Sequence, residues 1–217
     1  MKRILCFGDS NTWGNISCTP DRFPPDVRWT GVMQAALGAG YLVIEEGYNG
    51  RTAVMPDLVE GRLSGIDYFG PCLDSQSPLD LVILMLGTND LKLRFGLETE
   101  SIAFGFNRYL DALKTTPMAG ARPRVLLVSP VLIDKGYKGN AVFHGMFGED
   151  GVARSRALAP VYRRFAEENR LEFLDAAEYA SASPADGIHM AADDHRRLGL
   201  VMAEKVREIL KEETTHG

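Results

Sequence analysis

Residues 79–90 read LDLVILMLGTND, and this stretch decides the fold. Its centre, from Leu81 to Leu86, is the longest uninterrupted apolar run in the chain, with six residues. A short apolar run without polar alternation is typical of a strand buried on both faces, as in a parallel sheet covered by helices. Three small polar residues, Thr88, Asn89 and Asp90, follow after a glycine. The stretch therefore predicts a buried parallel strand that ends in a polar turn.

Similar segments recur along the whole chain. Short apolar runs predict five strands: Arg3–Gly8, Tyr41–Glu46, Leu79–Gly87, Arg124–Ser129 and Leu171–Asp175. Apolar residues three or four positions apart predict helices between or after them: Trp29–Leu37, Glu98–Leu113, Arg154–Asn169 and His195–Glu212. This alternation predicts an α/β fold in three layers, with a five-stranded parallel sheet between two layers of helices. We expect one domain over residues 1–217, with a frayed polar tail at Lys211–Gly217.

Composition excludes several classes of protein. The chain has 217 residues, 45% of them apolar, and a net charge of −5. It is too apolar to be disordered, and its longest apolar run is far shorter than the ~20 residues of a membrane-spanning helix. The net acidity argues against nucleic acid or an anionic membrane as the main partner. The short apolar stretch after Lys2 and Arg3 is no signal peptide, so we expect a cytoplasmic protein.

The three cysteines do not suggest a disulfide framework or a zinc site. Their number is odd, and no pair has the CxxC spacing. Cys6 lies within an apolar run, which predicts a buried thiol in the core. Histidines and carboxylates do not cluster at metal-ligand spacing either, so we predict neither a metal nor a cofactor.

Polar residues follow four of the predicted strands, at the edge of the sheet where ligands bind in such folds. Ser10 follows the first strand, Gly50 the second and Asn89 the third, while Asp186 and His189 follow the fifth. Each has a structural alternative, as a helix cap, a positive-φ glycine, a turn residue or a solvated pair. Their joint occurrence at neighbouring strand ends favours a functional site.

These residue types suit nucleophilic catalysis. A serine hydroxyl needs a base within hydrogen-bond reach, and only His189 has a carboxylate three residues earlier, Asp186, with a glycine between them. Of the other histidines, we expect His144 in an irregular loop, His195 on the surface and His216 in the tail. The order serine, aspartate, histidine predicts a triad of Ser10, Asp186 and His189.

The same strand ends supply hydrogen-bond donors for an oxyanion. The expected donors are the backbone N–H groups of Ser10 and Gly50 and the side-chain amide of Asn89. Asp9 and Asp90 flank these donors, and we expect them to order the loops.

Four sequence blocks resemble the SGNH branch of the GDSL esterase/lipase family: Gly8-Asp9-Ser10, Gly47-Tyr48-Asn49-Gly50, Gly87-Thr88-Asn89-Asp90 and Asp186-Gly187-Ile188-His189. The segments 3–14, 26–29 and 79–90 look like its bacterial arylesterase/acyltransferase subgroup. Asn11 stands where many members carry Leu or Ile, and Glu45 where many carry Asn. The resemblance implies a flavodoxin-like SGNH-hydrolase fold, acetyl-sized acyl groups, aryl or simple alkyl alcohols, acyl transfer in some members, and oligomers.

Further features bear on substrate and partners. Trp13 is a candidate wall of the acyl pocket. The connection Val131–Gly151 lacks a clear period and carries several aromatic residues, so we expect it at the pocket mouth or at the interface of a homo-oligomer. Alternatives within the fold are a carbohydrate O-deacetylase and a lysophospholipase or thioesterase. An alternative of another class is an FMN-binding module in which Ser10–Asn15 cradles the phosphate.

Overall fold

The computed structural model describes residues 1–211, which contain five strands: β1 (Lys2–Gly8), β2 (Tyr41–Gly47), β3 (Leu81–Met85), β4 (Arg124–Ser129) and β5 (Glu172–Asp175). They form one sheet in the order β2-β1-β3-β4-β5. All four neighbouring pairs are parallel, and Leu81 pairs with Ile4 on one side and with Arg124 on the other. The prediction of a five-stranded parallel sheet is confirmed.

Within residues 1–211 the α-helices are α1 (Ser10–Trp13), α2 (Trp29–Leu37), α3 (Gly65–Gln76), α4 (Thr99–Gly105), α5 (Asn107–Thr115), α6 (Ala141–Phe147), α7 (Gly151–Arg156), α8 (Leu158–Glu168) and α9 (Ala192–Lys211). Short 3-10 helices cover Asn89–Leu91, Leu93–Phe95, Lys135–Gly139 and Ala176–Glu178. The helix predicted at Trp29–Leu37 has these bounds in the structure. The predicted frayed tail, Lys211–Gly217, lies outside the described residues except for Lys211. The last predicted helix ends at Glu212, which also lies outside them.

Two predicted helices are each divided in two. The prediction for 98–113 becomes α4 and α5, because Phe106 donates its N–H to the carbonyl of Ala103 in a tighter turn. The prediction for 154–169 becomes α7 and α8, with a similar turn between Arg154 and Ala157. Apolar spacing continues across both breaks, which is why the periodicity alone does not show them.

The helix α3 was not predicted. Gly70 and Pro71 lie inside it, and both are poor helix formers. Its start carries a capping box, in which Ser64 and Asp67 satisfy each other's backbone N–H groups. That motif was the available signal in the sequence.

The sheet has an apolar core on each face. On one face Leu5 and Phe7 of β1 pack in a cluster with Tyr109 of α5. On the other face Ile4 and Cys6 pack in a cluster with α2 and α9. Alternate residues of one strand thus point into two cores, which produces the three predicted layers. Cys6 is fully buried, as predicted, and burial raises the pKa of its thiol well above the usual value.

Candidate active site

The turn after β1 presents Ser10 at the start of α1. Asp9 caps this helix, since its Oδ1 accepts the N–H of Asn11 at 2.9 Å. Gly47 at the end of β2 permits the close approach of α1, because a Cβ there would lie 2.1 Å from the Trp13 nitrogen. Burial raises the pKa of the Asp9 carboxyl to about 6. The expected loop-ordering role of Asp9 fits these contacts.

The segment before α9 brings a histidine and a carboxylate to Ser10. His189 Nε2 lies 3.0 Å from Ser10 Oγ, and His189 Nδ1 lies 2.7 Å from Asp186 Oδ2. The other Asp186 oxygen accepts the backbone N–H groups of Ile188 and His189, each at 2.9 Å. The three side chains selected from the sequence therefore form one hydrogen-bonded chain.

The charge state of Asp186 fixes the tautomer of His189. Burial alone would raise the pKa of Asp186, but hydrogen bonds from the side chain and backbone of His189 hold it below its usual value. An ionised carboxylate only accepts hydrogen bonds, so Nδ1 carries the proton that faces Asp186. Nε2 of a neutral ring then has a free lone pair, and the Ser10 hydroxyl donates to it. This arrangement is suited to removing a proton from Ser10.

The other predicted residues lie around the same cleft. Gly50 has φ +78°, a backbone conformation that favours glycine. Neither the Ser10 N–H nor the Gly50 N–H has a hydrogen-bond partner within residues 1–211. Asn89 Nδ2 donates one hydrogen to the carbonyl of Arg51 at 3.1 Å, which leaves its second hydrogen available. Gly50 and Asn89 line the same cleft as Ser10, and their role as oxyanion donors stays a prediction.

Asp90 orders the loop that carries Gly50. Its two carboxylate oxygens lie 2.9 and 2.8 Å from the Ala53 nitrogen, and the Tyr109 hydroxyl donates to the Ala53 carbonyl at 2.5 Å. Asp90 is fully buried, and burial raises the pKa of its carboxyl to about 7. The expected loop-ordering role of Asp90 agrees with these bonds.

The cleft beside Ser10 is small, and its lining contains an apolar set and a polar set of side chains, which we call the apolar wall and the polar wall. Its volume is about 150 Å³. The apolar wall consists of Phe143, Met146, Phe147 and Ile188. The polar wall consists of Asn15, Asn49, Glu60 and Lys92. The ring centroids of Phe143 and His189 are 6.1 Å apart, so the apolar wall reaches the imidazole.

The polar wall was not predicted from the sequence. Lys92 is almost fully buried, and its Nζ lies 2.8 Å from Glu60 and 3.2 Å from Asp57. Arg94 pairs with Asp57 at 3.1 Å and with Glu60 at 3.2 Å. This ion-pair cluster fixes Glu60 at the cleft. The closeness of Lys92 to the block 87–90 was the only signal in the sequence.

The connection Val131–Gly151 is more ordered than expected. It contains a 3-10 helix at Lys135–Gly139 and the helix α6, which carries His144. The prediction of an irregular loop was therefore wrong, although its position at the pocket mouth is correct. Tyr137 and Phe147 are buried in the core, whereas Val142 is 63% exposed. The expected homo-oligomer loses much of its support at this segment and stays a prediction.

Two other predicted positions need correction. Trp13 is not among the residues that line the cleft, and its ring instead faces the guanidinium of Arg22, 5.2 Å away. His195 is fully buried and not on the surface, because α9 begins at Ala192 and turns it inward. Its Nδ1 accepts the backbone N–H of Trp29 at 3.3 Å, and burial lowers the pKa of its ring to about 4.

Three further observations concern the cysteines, metal-binding groups and membrane spans. All three cysteines are free. Residues 1–211 contain no group of three or more His, Cys, Asp or Glu side chains suited to hold a metal ion. None of the helices in this part of the chain has both the length and the apolar character required to cross a membrane.

Comparison with known proteins places the chain in a family. Residues 6–200 match the GDSL-like Lipase/Acylhydrolase family. The aryl esterase of M. smegmatis is 41% identical with a TM-score of 0.91, over 96% of this chain and 99% of that one. Est24, a carbohydrate acetylesterase from Sinorhizobium meliloti, is 39% identical with a TM-score of 0.90, over 96% and 100%. The search among curated proteins gave no match.

The fold and these similarities define an SGNH-type carboxylic ester hydrolase. The chain belongs to the GDSL-like Lipase/Acylhydrolase family, so the resemblance seen in the sequence is confirmed. Membership of this family supports esterase or acetylesterase activity, so the alternative of an FMN-binding module is dropped.

Proposed function

We propose that the protein is a serine esterase that hydrolyses short-chain acyl esters through an acyl-enzyme on Ser10. The hydrogen-bonded chain from Ser10 through His189 to Asp186, with distances of 3.0 and 2.7 Å, carries the proposal. An unassisted serine hydroxyl is a weak nucleophile at neutral pH, and this chain supplies the base and its orienting carboxylate.

The reaction has two half-reactions. Ser10 Oγ attacks the ester carbonyl carbon while its proton passes to His189 Nε2. The tetrahedral intermediate collapses, the bond to the alcohol oxygen breaks, and His189 returns the proton to that oxygen. A water molecule then attacks the acyl-enzyme by the same route and releases the acid and Ser10. Asp186 stays ionised and stabilises the imidazolium in each half-reaction.

The oxyanion of each tetrahedral intermediate needs donors. We propose the N–H groups of Ser10 and Gly50 and the free hydrogen of the Asn89 amide. The bond from Asn89 to Arg51 O keeps that amide oriented before substrate arrives, which avoids reorganisation during the reaction. Removing one such donor typically costs about 10²–10³ in kcat.

The cleft argues for a small acyl group. Its volume of about 150 Å³ lies below the ~300–1,000 Å³ of most ligand pockets. The aromatic side chains of Phe143 and Phe147 form much of the apolar wall. A long acyl chain, as in a lysophospholipase or thioesterase substrate, fits this volume poorly. Aryl and simple alkyl alcohols suit the apolar wall, in line with the similar aryl esterase.

A second candidate is a carbohydrate O-deacetylase, and the polar wall favours it. The Asn49 Oδ1 atom is buried and has no hydrogen-bond partner among residues 1–211. Glu60 and Lys92 add an acceptor and a donor. Such groups recognise hydroxyls, and a site built for them discriminates against analogues that lack them. The similar structure of Est24, a carbohydrate acetylesterase, supports the same alternative.

The substrate class is tested with p-nitrophenyl esters from acetyl to decanoyl, run beside acetylated sugars and with Ser10→Ala as the blank. We expect kcat/KM to be highest for acetyl and to fall as the acyl chain lengthens. Higher kcat/KM on acetylated sugars than on p-nitrophenyl acetate would favour the deacetylase. A maximum at octanoyl or decanoyl would contradict both candidates. Acyl transfer is measured in reactions with added alcohol, as the ratio of new ester formed to acid released.

A further inference from the structure

Asn11, the residue after the proposed nucleophile, contacts both neighbours of His189. Its Nδ2 donates to the Ile188 carbonyl at 3.1 Å, and its Oδ1 accepts the Met190 N–H at 2.9 Å. All three groups are buried, and Asn11 is only 3% exposed. One short side chain thus joins the turn after β1 to a segment almost 180 residues away.

These two bonds help to set the distance between Ser10 and His189, which lie on separate segments, since Ser10 begins α1 and His189 precedes α9. Ser17 Oγ also donates to the His189 carbonyl and the Cys18 N–H to Asp186 Oδ2, but both of these bonds are longer, at 3.4 Å. Asp186 lies in the same segment as His189, so their mutual contact needs no clamp. A reacting group displaced by about 1 Å can lose about 10² in rate.

The clamp requires a side chain that both donates and accepts hydrogen bonds, as the amide of Asn11 does. One backbone group is an acceptor and the other a donor, and only a side chain with both functions pairs with both. A leucine of similar shape would leave a buried carbonyl and a buried N–H without these partners.

We propose that Asn11 is a positioning residue whose amide clamp holds His189 Nε2 within reach of Ser10 Oγ. This proposal rests on the proposed function of Ser10 and His189. Asn11 acts through the backbone on either side of the histidine and does not itself contact the reacting atoms.

The test is Asn11→Leu, with Asn107→Leu as the matched control. Asn107 also donates to a backbone carbonyl, that of Phe104 at 2.9 Å, but it is on α5 and outside the cleft. For Asn11→Leu we expect kcat on p-nitrophenyl acetate to fall about tenfold to a hundredfold, with KM changed less than twofold. The rate of labelling by a fluorophosphonate should fall in parallel. The control should match the wild type in both.

A spectroscopic readout separates positioning from general loss of structure. The low-field proton NMR signal of His189 Nδ1–H should persist in Asn11→Leu, because its bond to Asp186 lies within one segment. If Asn11→Leu is unfolded, Asn11→Ala is measured in the same way, since it removes both bonds without the branched methyl groups. A folded Asn11 variant with wild-type kcat overturns the proposal, as does loss of the Nδ1 signal or a rise in KM alone.

The proposed function and the clamp are tested by different outcomes. If Ser10→Ala keeps turnover and fluorophosphonate labelling, the assignment of the nucleophile is wrong whatever Asn11 does. If Ser10→Ala is inactive and both Asn11 variants behave like the wild type, only the clamp is wrong.

Discussion

Asn89 links the loop after β3 to the loop after β2, and in the proposed mechanism its amide has two separable tasks. One hydrogen holds the Arg51 carbonyl at 3.1 Å, while the other is free to meet the oxyanion. The first task concerns folding and the second concerns only the transition state. A single substitution can therefore tell them apart when stability and kinetics are measured together.

We predict that Asn89→Ala lowers kcat and kcat/KM by about 10²–10³ and leaves KM nearly unchanged. Labelling of Ser10 by a fluorophosphonate should continue, more slowly, because His189 is intact. The control is Asn169→Ala, since Asn169 also donates to a carbonyl, that of Phe165 at 2.9 Å, away from the cleft. A variant with a lower melting temperature but full turnover would remove Asn89 from the oxyanion site.

Single residues also show what a sequence can and cannot reveal about a site. Ser10, Gly50 and Asn89 could be selected because each lies shortly after the end of a strand whose position the sheet determines, and His189 because of its spacing from Asp186. The roles of Asn11, Glu60 and Lys92 were not, because their contacts depend on how separate loops pack. Trp13 was misassigned for the same reason, as closeness to Ser10 in sequence says little about the direction of a side chain.

Among the secondary-structure elements, α6 has the most direct bearing on specificity. It brings Phe143, Met146 and Phe147 to the cleft. Its start is fixed by Asn140, whose side chain caps the backbone N–H groups of Val142 and Phe143. The N-terminus of α6 is thus capped, and the helix presents these three side chains to the cleft. Its seven residues are too few for a clear helical period, which explains why the sequence did not predict it.

Phe143→Ala should widen the cleft and shift the acyl preference. We expect the ratio of kcat/KM for p-nitrophenyl butyrate to that for the acetate to rise at least tenfold, since butyrate has two more methylenes and a hydrophobic pocket gains roughly 1–3 kcal/mol for each one it accommodates. Phe104→Ala is the control, because Phe104 is 72% exposed on α4 and lies outside the cleft. An unchanged ratio in Phe143→Ala would show that α6 does not contact the acyl chain.

Across the whole molecule, buried titratable groups couple stability to pH. His195 is the clearest case, because burial lowers the pKa of its ring from 6.5 to about 4. Below pH 6.5 the unfolded chain takes up a proton that the folded protein does not bind. The free energy of unfolding therefore falls as the pH decreases from about 6.5 to 4. Asp194, Arg28 and His189 influence the same ring and stay in place in a His195 variant.

We predict that, between about pH 6.5 and pH 4, the free energy of unfolding falls by about 2–3 kcal/mol less in His195→Asn than in the wild type. An asparagine oxygen can still accept the Trp29 N–H, so the variant should fold. The measurement is urea unfolding of both proteins between pH 7 and pH 4. Equal losses would show that His195 does not carry this dependence. Ester hydrolysis at pH 7 should be retained, since His189 and not His195 faces Ser10.

The layer architecture was the most predictable property of the molecule. Continuous apolar strands with helices between them admit few arrangements, and the sheet has the predicted strands in parallel order. The helix breaks and α3 were not predictable to the same degree, because they depend on tertiary contacts that override local preference. His195 lies on the buried stripe of α9, three residues before Leu198, so its helical spacing was an overlooked signal.

The nucleophile is tested by trapping the acyl-enzyme. Wild-type protein is mixed with p-nitrophenyl acetate, quenched with acid within milliseconds, digested and analysed by mass spectrometry. We predict one added acetyl group on the peptide that contains Ser10, and none on any peptide of Ser10→Ala, which should fold normally and lose several orders of magnitude in kcat. Acetyl on another residue with the same kinetics, or near-normal turnover by folded Ser10→Ala, would contradict Ser10 as the nucleophile.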